Sequence, residues 1–192
     1  MLYETLDYNG HTIEIHTDED PLNPCQEYEG FGQIVCSHER YTLGHKHDFA
    51  VPEDFIAFKD RQKPFWYPLY LYDHSGITIS TTPFSCPWDS GLVGFIYITQ
   101  EAVRECFDIE TIDDKGAQKV CQLLQSEVET YNDYLTGNVY GFITKARDDE
   151  DIDSCWGFIG DPETSGLIDA ARSSIDGFIR DCYPLFAHGA LI

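Results

Sequence analysis

The chain has 192 residues and carries 34 acidic against 12 basic side chains, a formal net charge of −22. That balance opposes binding to bare nucleic acid or an anionic membrane, because carboxylates and phosphates repel. Its 14% aromatic content argues against a disordered chain, and the length suffices for one core without disulfide or metal staples.

Residues 2–8 and 11–16 alternate apolar and polar around Asn9-Gly10, which predicts an N-terminal hairpin over about residues 1–17. Asp18-Glu-Asp-Pro21 and Asn23-Pro24 read as a loop, Phe31–Cys36 as a short buried strand, and Val51–Ile56 as a weak helical turn. The aromatic stretch 65–98, almost uncharged with Asp73 and Asp89 as its only carboxylates, predicts the central sheet: strands within 65–82 turning at Asp73-His-Ser-Gly76, a loop at Cys86-Pro-Trp-Asp-Ser-Gly91, and a strand over 92–99. Thr99 is placed to cap a short helix ending near Phe107.

Over 113–135, Val120, Cys121, Leu124, Val128, Tyr131 and Leu135 recur on one helical face, with Gly137 as the stop. Strands follow over 138–145 and 154–160. A last helix is predicted to open at Asp161-Pro162 and turn Leu167, Ala171, Ile175, Phe178 and Cys182 inward, and the tail from Cys182 to His188 to pack down. The expected fold is a single α+β domain, with one mixed, largely antiparallel sheet and two main helices packed on one face.

The seven cysteines are odd in number and irregularly spaced, which predicts buried, reduced thiols in a cytoplasmic protein. The opening MLYETLDYNGHTIEIH is acidic and has no apolar core, so no secretory leader is expected. No apolar run reaches the ~20 residues of a membrane helix.

Three constellations have chemical content. Cys36, His38, His45 and His47 lie within a short segment and are of the types that hold zinc, although their spacing matches no common structural zinc pattern; the alternative is a solvated His-rich loop. Asp73-His74-Ser75 and Asp89-Ser90 offer triad residue types without a GxSxG elbow, and Asp-x-Ser-Gly is equally an ordinary turn. Cys86 is a thiol with no sequence feature that would activate it.

Acidic residues form the third constellation: Asp18, Glu19 and Asp20; then Glu105, Asp108, Glu110, Asp113 and Asp114; then Asp148, Asp149, Glu150, Asp151 and Asp153. Carboxylates on a rigid frame can imitate the charge pitch of duplex DNA, about one per 1.7 Å, and so dock in a Lys/Arg channel. They can equally be a solvated face that aids solubility.

The words Tyr70-Leu-Tyr-Asp-His-Ser-Gly-Ile-Thr-Ile-Ser80 and Phe84-Ser-Cys-Pro-Trp-Asp-Ser-Gly-Leu-Val-Gly-Phe-Ile-Tyr97 resemble the signature of an uncharacterised family of small acidic proteins of phages, prophages and conjugative elements. Glu127–Gly141 and Asp153–Gly160 are similar to it too. Cys36, His38, Arg40-Tyr41 and Leu43-Gly44 match an upstream segment whose Trp-Asp-Asn start is missing here. The resemblance brings no catalytic residues; it implies a mobile-element context, in which acidic single-domain proteins often counter host defences.

The leading expectation is therefore a non-enzymatic inhibitor in the host cytoplasm. It would bind a basic partner, such as a CRISPR effector or a restriction nuclease, through its acidic surface, without cofactor, direct nucleic-acid binding or membrane attachment. The alternatives are a metal-dependent enzyme using the Cys36/His38/His45/His47 set, with zinc as its metal and Asp73 or His74 nearby, and a structural or regulatory phage protein that self-associates.

Overall fold

The computed structural model describes residues 1–49 and 52–182, with the side chains of residues 52 and 53 left aside. The expected packing of the tail after Cys182 lies outside them. In chain order the elements are β1 (Leu2–Tyr8), β2 (His11–Thr17), α1 (Pro24–Glu27), β3 (Gln33–Cys36), α2 (Pro52–Gln62), β4 (Phe65–Asp73), β5 (Ile77–Ser80), β6 (Ser90–Ile98), α3 (Gln100–Phe107), α4 (Asp114–Thr136), β7 (Val139–Lys145), β8 (Asp151–Ile159) and α5 (Leu167–Cys182).

The α+β class holds, and every strand pair is antiparallel. The strands expected in one sheet instead divide between two four-stranded sheets, β1-β2-β7-β8 and β3-β6-β4-β5. The physical reason is that β2 offers a free edge to β7 over the register Thr12↔Lys145 to Thr17↔Tyr140, and this draws β7 and β8 away from the aromatic strands. The chain accordingly forms two compact units: residues 1–22 with 137 onward, and residues 23–136.

In the first unit Asn9 (φ 55°) and Gly10 (φ 74°) both occupy the left-handed region, the conformation a tight two-residue hairpin requires. Ile13 and Ile15 of β2 and Tyr140 and Phe142 of β7 point to one face, where Leu167, Ala171 and Ile175 of α5 cover them. The spacing of four matches that face of α5 as expected, whereas Cys182 is exposed. Residues 161–165 form a turn in which the amides of Thr164 and Ser165 donate to the Asp161 carbonyl, and Gly166 follows at φ 86°. A residue there cannot continue a right-handed helix, so α5 begins at Leu167.

In the second unit α4 lies on β4, β5 and β6 and buries Val120, Leu124, Val128 and Tyr131 against Leu69, Leu71, Ile79 and Ile96. Three polar groups of α4 tie loops and strands to it. The Tyr131 hydroxyl accepts from Gly44 N at 2.8 Å, Asn132 Oδ1 accepts from Ile79 N at 2.9 Å, and Glu127 Oε2 accepts from Gly32 N at 2.6 Å. The weak turn expected near residues 51–56 is a full helix, α2, and Thr99 caps α3 by accepting from Ala102 N at 3.2 Å. Among the described residues no helix is long and apolar enough to cross a membrane.

Candidate functional site

The first and third acidic clusters belong to the first unit and the second cluster to the second unit, and local duties account for many of their members. Asp18 follows β2 and accepts from Asp20 N at 3.2 Å, while Glu19 lies 3.0 Å from the amino group of Met1. In the second unit Asp108 terminates α3 in the left-handed conformation, and Asp113 Oδ1 caps α4 by accepting from Gly116 N at 2.7 Å. Asp114 sits in the first turn of α4, favourable to the helix dipole. Glu105 and Glu110 are exposed.

The third cluster is the densest. Asp148, Asp149 and Glu150 form the turn between β7 and β8, while Asp151 and Asp153 open β8. The turn is closed by Ala146 N donating to Glu150 O at 2.7 Å and Asp149 N to Ala146 O at 3.0 Å. Asp149 takes φ 69°, which Asp tolerates better than most residues. Lys145 Nζ lies 3.0 Å from Glu14 Oε1 and 3.6 Å from Asp149 Oδ1. The bond to Glu14 holds the Lys145 ammonium above its ordinary pKa and the Glu14 carboxyl below its own. Arg147 Nη2 donates to Asn9 O at 3.4 Å, joining this turn to the N-terminal hairpin. The strand starts earlier than the expected residue 154 because β8 is an edge, where outward carboxylates are compatible with pairing on one side only and discourage edge-to-edge association.

The 18–20 and 148–153 clusters do not merge. Asp18 N donates to Val139 O, at the start of β7, whereas the third cluster follows the end of β7 at Lys145. The six residue steps from Val139 to Lys145, about 20 Å of strand, separate the two.

The proposed zinc ligands are not gathered. Among the described residues no group of three or more His, Cys, Asp or Glu side chains is placed to hold a metal ion. His45 Nδ1 meets Ile34 N at 2.9 Å, and His47 Nε2 is 3.2 Å from Cys36 O, so both rings serve the backbone of β3. His38 Nδ1 accepts from Arg40 N at 3.2 Å and its ring stacks on Tyr41. Cys36 is buried, and burial pushes its thiol up to about 12, unfavourable for a thiolate ligand.

The two Asp-Ser-Gly turns do meet, at one end of the second sheet. Asp73 N donates to Asp89 O at 2.8 Å; His74 Nδ1 lies 3.4 Å and Cys86 Sγ 3.8 Å from the same Asp89 Oδ2. Asp73 Oδ2 receives Arg40 Nη2 at 2.5 Å and the Tyr41 hydroxyl at 3.3 Å. The carboxylate thus stands between thiol and imidazole, the reverse of the order in which a base activates a nucleophile. Ser90 Oγ is spent on the Cys86 carbonyl, and Ser75 sits at φ 60° in its turn. The arrangement is that of two interlocked turns. Trp88 projects from it, 91% exposed.

Of the seven cysteines, all free, Cys25 and Cys36 are buried as expected, whereas Cys106, Cys155 and Cys182 are exposed. A feature that sequence reasoning missed lies on the outer face of the second sheet: a groove of about 600 Å³ between α2 and the strands, lined by Phe49, Ile56, Lys59, Trp66, Leu92 and Phe95 among others. Its lining comes from separate segments, and the only signal was the alternation of aromatics in 65–97.

No protein-family model, no curated protein and no solved structure matches this chain.

Proposed function

We propose that this protein is a non-enzymatic inhibitor of a host nucleic-acid-processing complex, a CRISPR effector or a restriction enzyme, and occupies its basic cleft in place of nucleic acid. The observation that carries the reading is the exposed β7–β8 turn, where five carboxylates, Asp148 to Asp151 and Asp153, lie within six residues of a chain with net charge −22. Lys145 and Arg147 fix the base of that turn, so its charges are presented on a defined frame rather than on a loose loop. The resemblance of the 70–97 words to mobile-element proteins supports the same context, with the host cytoplasm as the place of action.

The test is a cleavage assay in which a panel of CRISPR effectors and restriction nucleases acts on labelled duplex DNA with and without excess protein. Protection is expected from at least one nuclease, weakening as salt rises, without any shift of free DNA by the protein itself. Replacing Asp148, Asp149, Asp151 and Asp153 together by Asn keeps the left-handed tolerance at 149 and the oxygen that accepts from Ser154 N. At the usual contribution of exposed ion pairs, inhibition should fall roughly 5- to 1,000-fold. Protection by no member of the panel, or equal potency of the fourfold variant, removes the proposal.

A further inference from the structure

The groove on the second sheet differs in character from the rest of the molecule. On its floor β4 and β6 pair outward-facing side chains, Pro68↔Phe95 and Tyr70↔Leu92, with Trp66 beside them. A bulge between Leu69 and Tyr70 shifts the register at this point. Val93 thereby joins the core under α4, while Leu92 stands 68% exposed at the groove mouth. One wall is α2: Phe55 stacks on Phe95, and Ile56 is exposed beside the opening. The other wall carries His47, whose buried Nδ1 has no hydrogen-bond partner among the described residues, and Phe49, packed edge-on to Phe55 and Phe95.

The volume of about 600 Å³ falls within the ~300–1,000 Å³ of small-molecule sites, and an apolar, aromatic lining with few polar groups is their usual composition. Charge narrows the occupant. None of the described lining residues is a carboxylate, in a chain with 34 of them. Among the described lining residues the only formal charge is Lys59, whose Nζ lies 4.8 Å from the centre of the Trp66 ring. The aromatic lining suits a flat apolar body, and an anionic group at its end would meet the Lys59 ammonium, the attractive charge for it among the described lining residues.

We infer that this groove is a binding site for a small planar aromatic carboxylate, a function independent of the acidic turn of the other unit. The probe is 2-naphthoate, with 2-naphthamide as its uncharged counterpart, titrated into the isotope-labelled full chain and followed by amide and indole NMR shifts. Saturable shifts are expected at Val35, Ile56, Lys59, Gly94 and the Trp66 indole, with the amide binding several-fold more weakly. Lys59→Gln should weaken 2-naphthoate about two- to fivefold and leave 2-naphthamide unchanged. Leu92→Asp, at a position 68% exposed, places a carboxylate in the mouth and should weaken 2-naphthoate at least tenfold. Absence of saturable shifts at millimolar probe, shifts centred elsewhere, or equal binding of acid and amide would overturn the inference.

Discussion

Glu127 of α4 is the point at which loop 29–33 is fastened to the second unit, and its removal has a calculable cost. Its carboxylate accepts from Gly32 N at 2.6 Å and also from the Phe31 amide. Hydrogen bonds to a charged acceptor contribute ~1.5–3 kcal/mol each. The cost of burying the carboxylate offsets part of this, so Glu127→Ala should destabilise the unit by ~2 kcal/mol. Burial is also the leading reason why this carboxyl is held above its ordinary pKa of 4.5, the two amide bonds opposing it. A raised folded-state pKa means that the folded chain binds this proton more tightly than the unfolded chain. The resulting stabilisation is complete below pH 4.5 and is lost as pH rises through the raised value. Glu127→Gln removes that titration and should flatten this part of the pH profile relative to the parent. Hydrogen exchange at the amides of Ser37 and His45, bonded to Val93 O and Ile34 O, reports opening of this unit alone. At pH 7 the alanine variant should exchange roughly 30-fold faster at both. Exchange within twofold of the parent, or a glutamine variant that keeps the parent's pH profile, would refute the reasoning.

Two further outcomes follow from close packing and from burial. A Cβ at Gly141 would stand 2.4 Å from Trp156 Cε3 and 2.8 Å from Cys155 O, so Gly141→Ala must displace the indole from β7. A loss of ~1–3 kcal/mol is expected, read by denaturation of the first unit together with a shift in tryptophan emission; unchanged stability and emission would contradict the placement of Trp156. Brief alkylation of the native protein, mapped by mass spectrometry, should modify Cys106, Cys155 and Cys182 and spare Cys25 and Cys36, whose thiols burial pushes up to about 12. Early labelling of Cys36 would show that β3 is less closed than described.

What could be read in the sequence was local. The Asn9-Gly10 hairpin, the buried face of α4 and the cap at Thr99 each depend on residues within one or two turns of chain, and each is present. The partition into two sheets was not legible, because alternation marks a strand but not its partner, and nothing in residues 138–145 names β2 rather than β6. Helix α2 was underestimated because Phe55 and Phe58 pack on the sheet while Lys59, Asp60 and Arg61 share the same turns, which leaves its apolar stripe weak. The His-rich segment looked like a ligand set because its residue types suit zinc; only coordinates show the rings of His45 and His47 committed to the backbone of β3. The groove was invisible for a related reason: His47, Lys59, Trp66 and Leu92 become neighbours only once four separate segments meet.

The interleaving of the two units also sets an order of assembly. β2 and β7 are adjacent strands, yet the whole of the second unit lies between them in the chain. During synthesis residues 23–136 can collapse on their own contacts while the first unit has only its N-terminal hairpin. Until β7 emerges, that hairpin presents Ile13 and Ile15 and an unpaired β2 edge to its surroundings, a surface open to wrong partners. Closing the sheet around an already folded insert holds the strand ends close, so the entropic cost of joining them, about 4 kcal/mol for a flexible loop of roughly a hundred residues, is largely met beforehand. An insert that failed to fold would leave that cost in place, and the acidic turn of β7 and β8 would lose its frame.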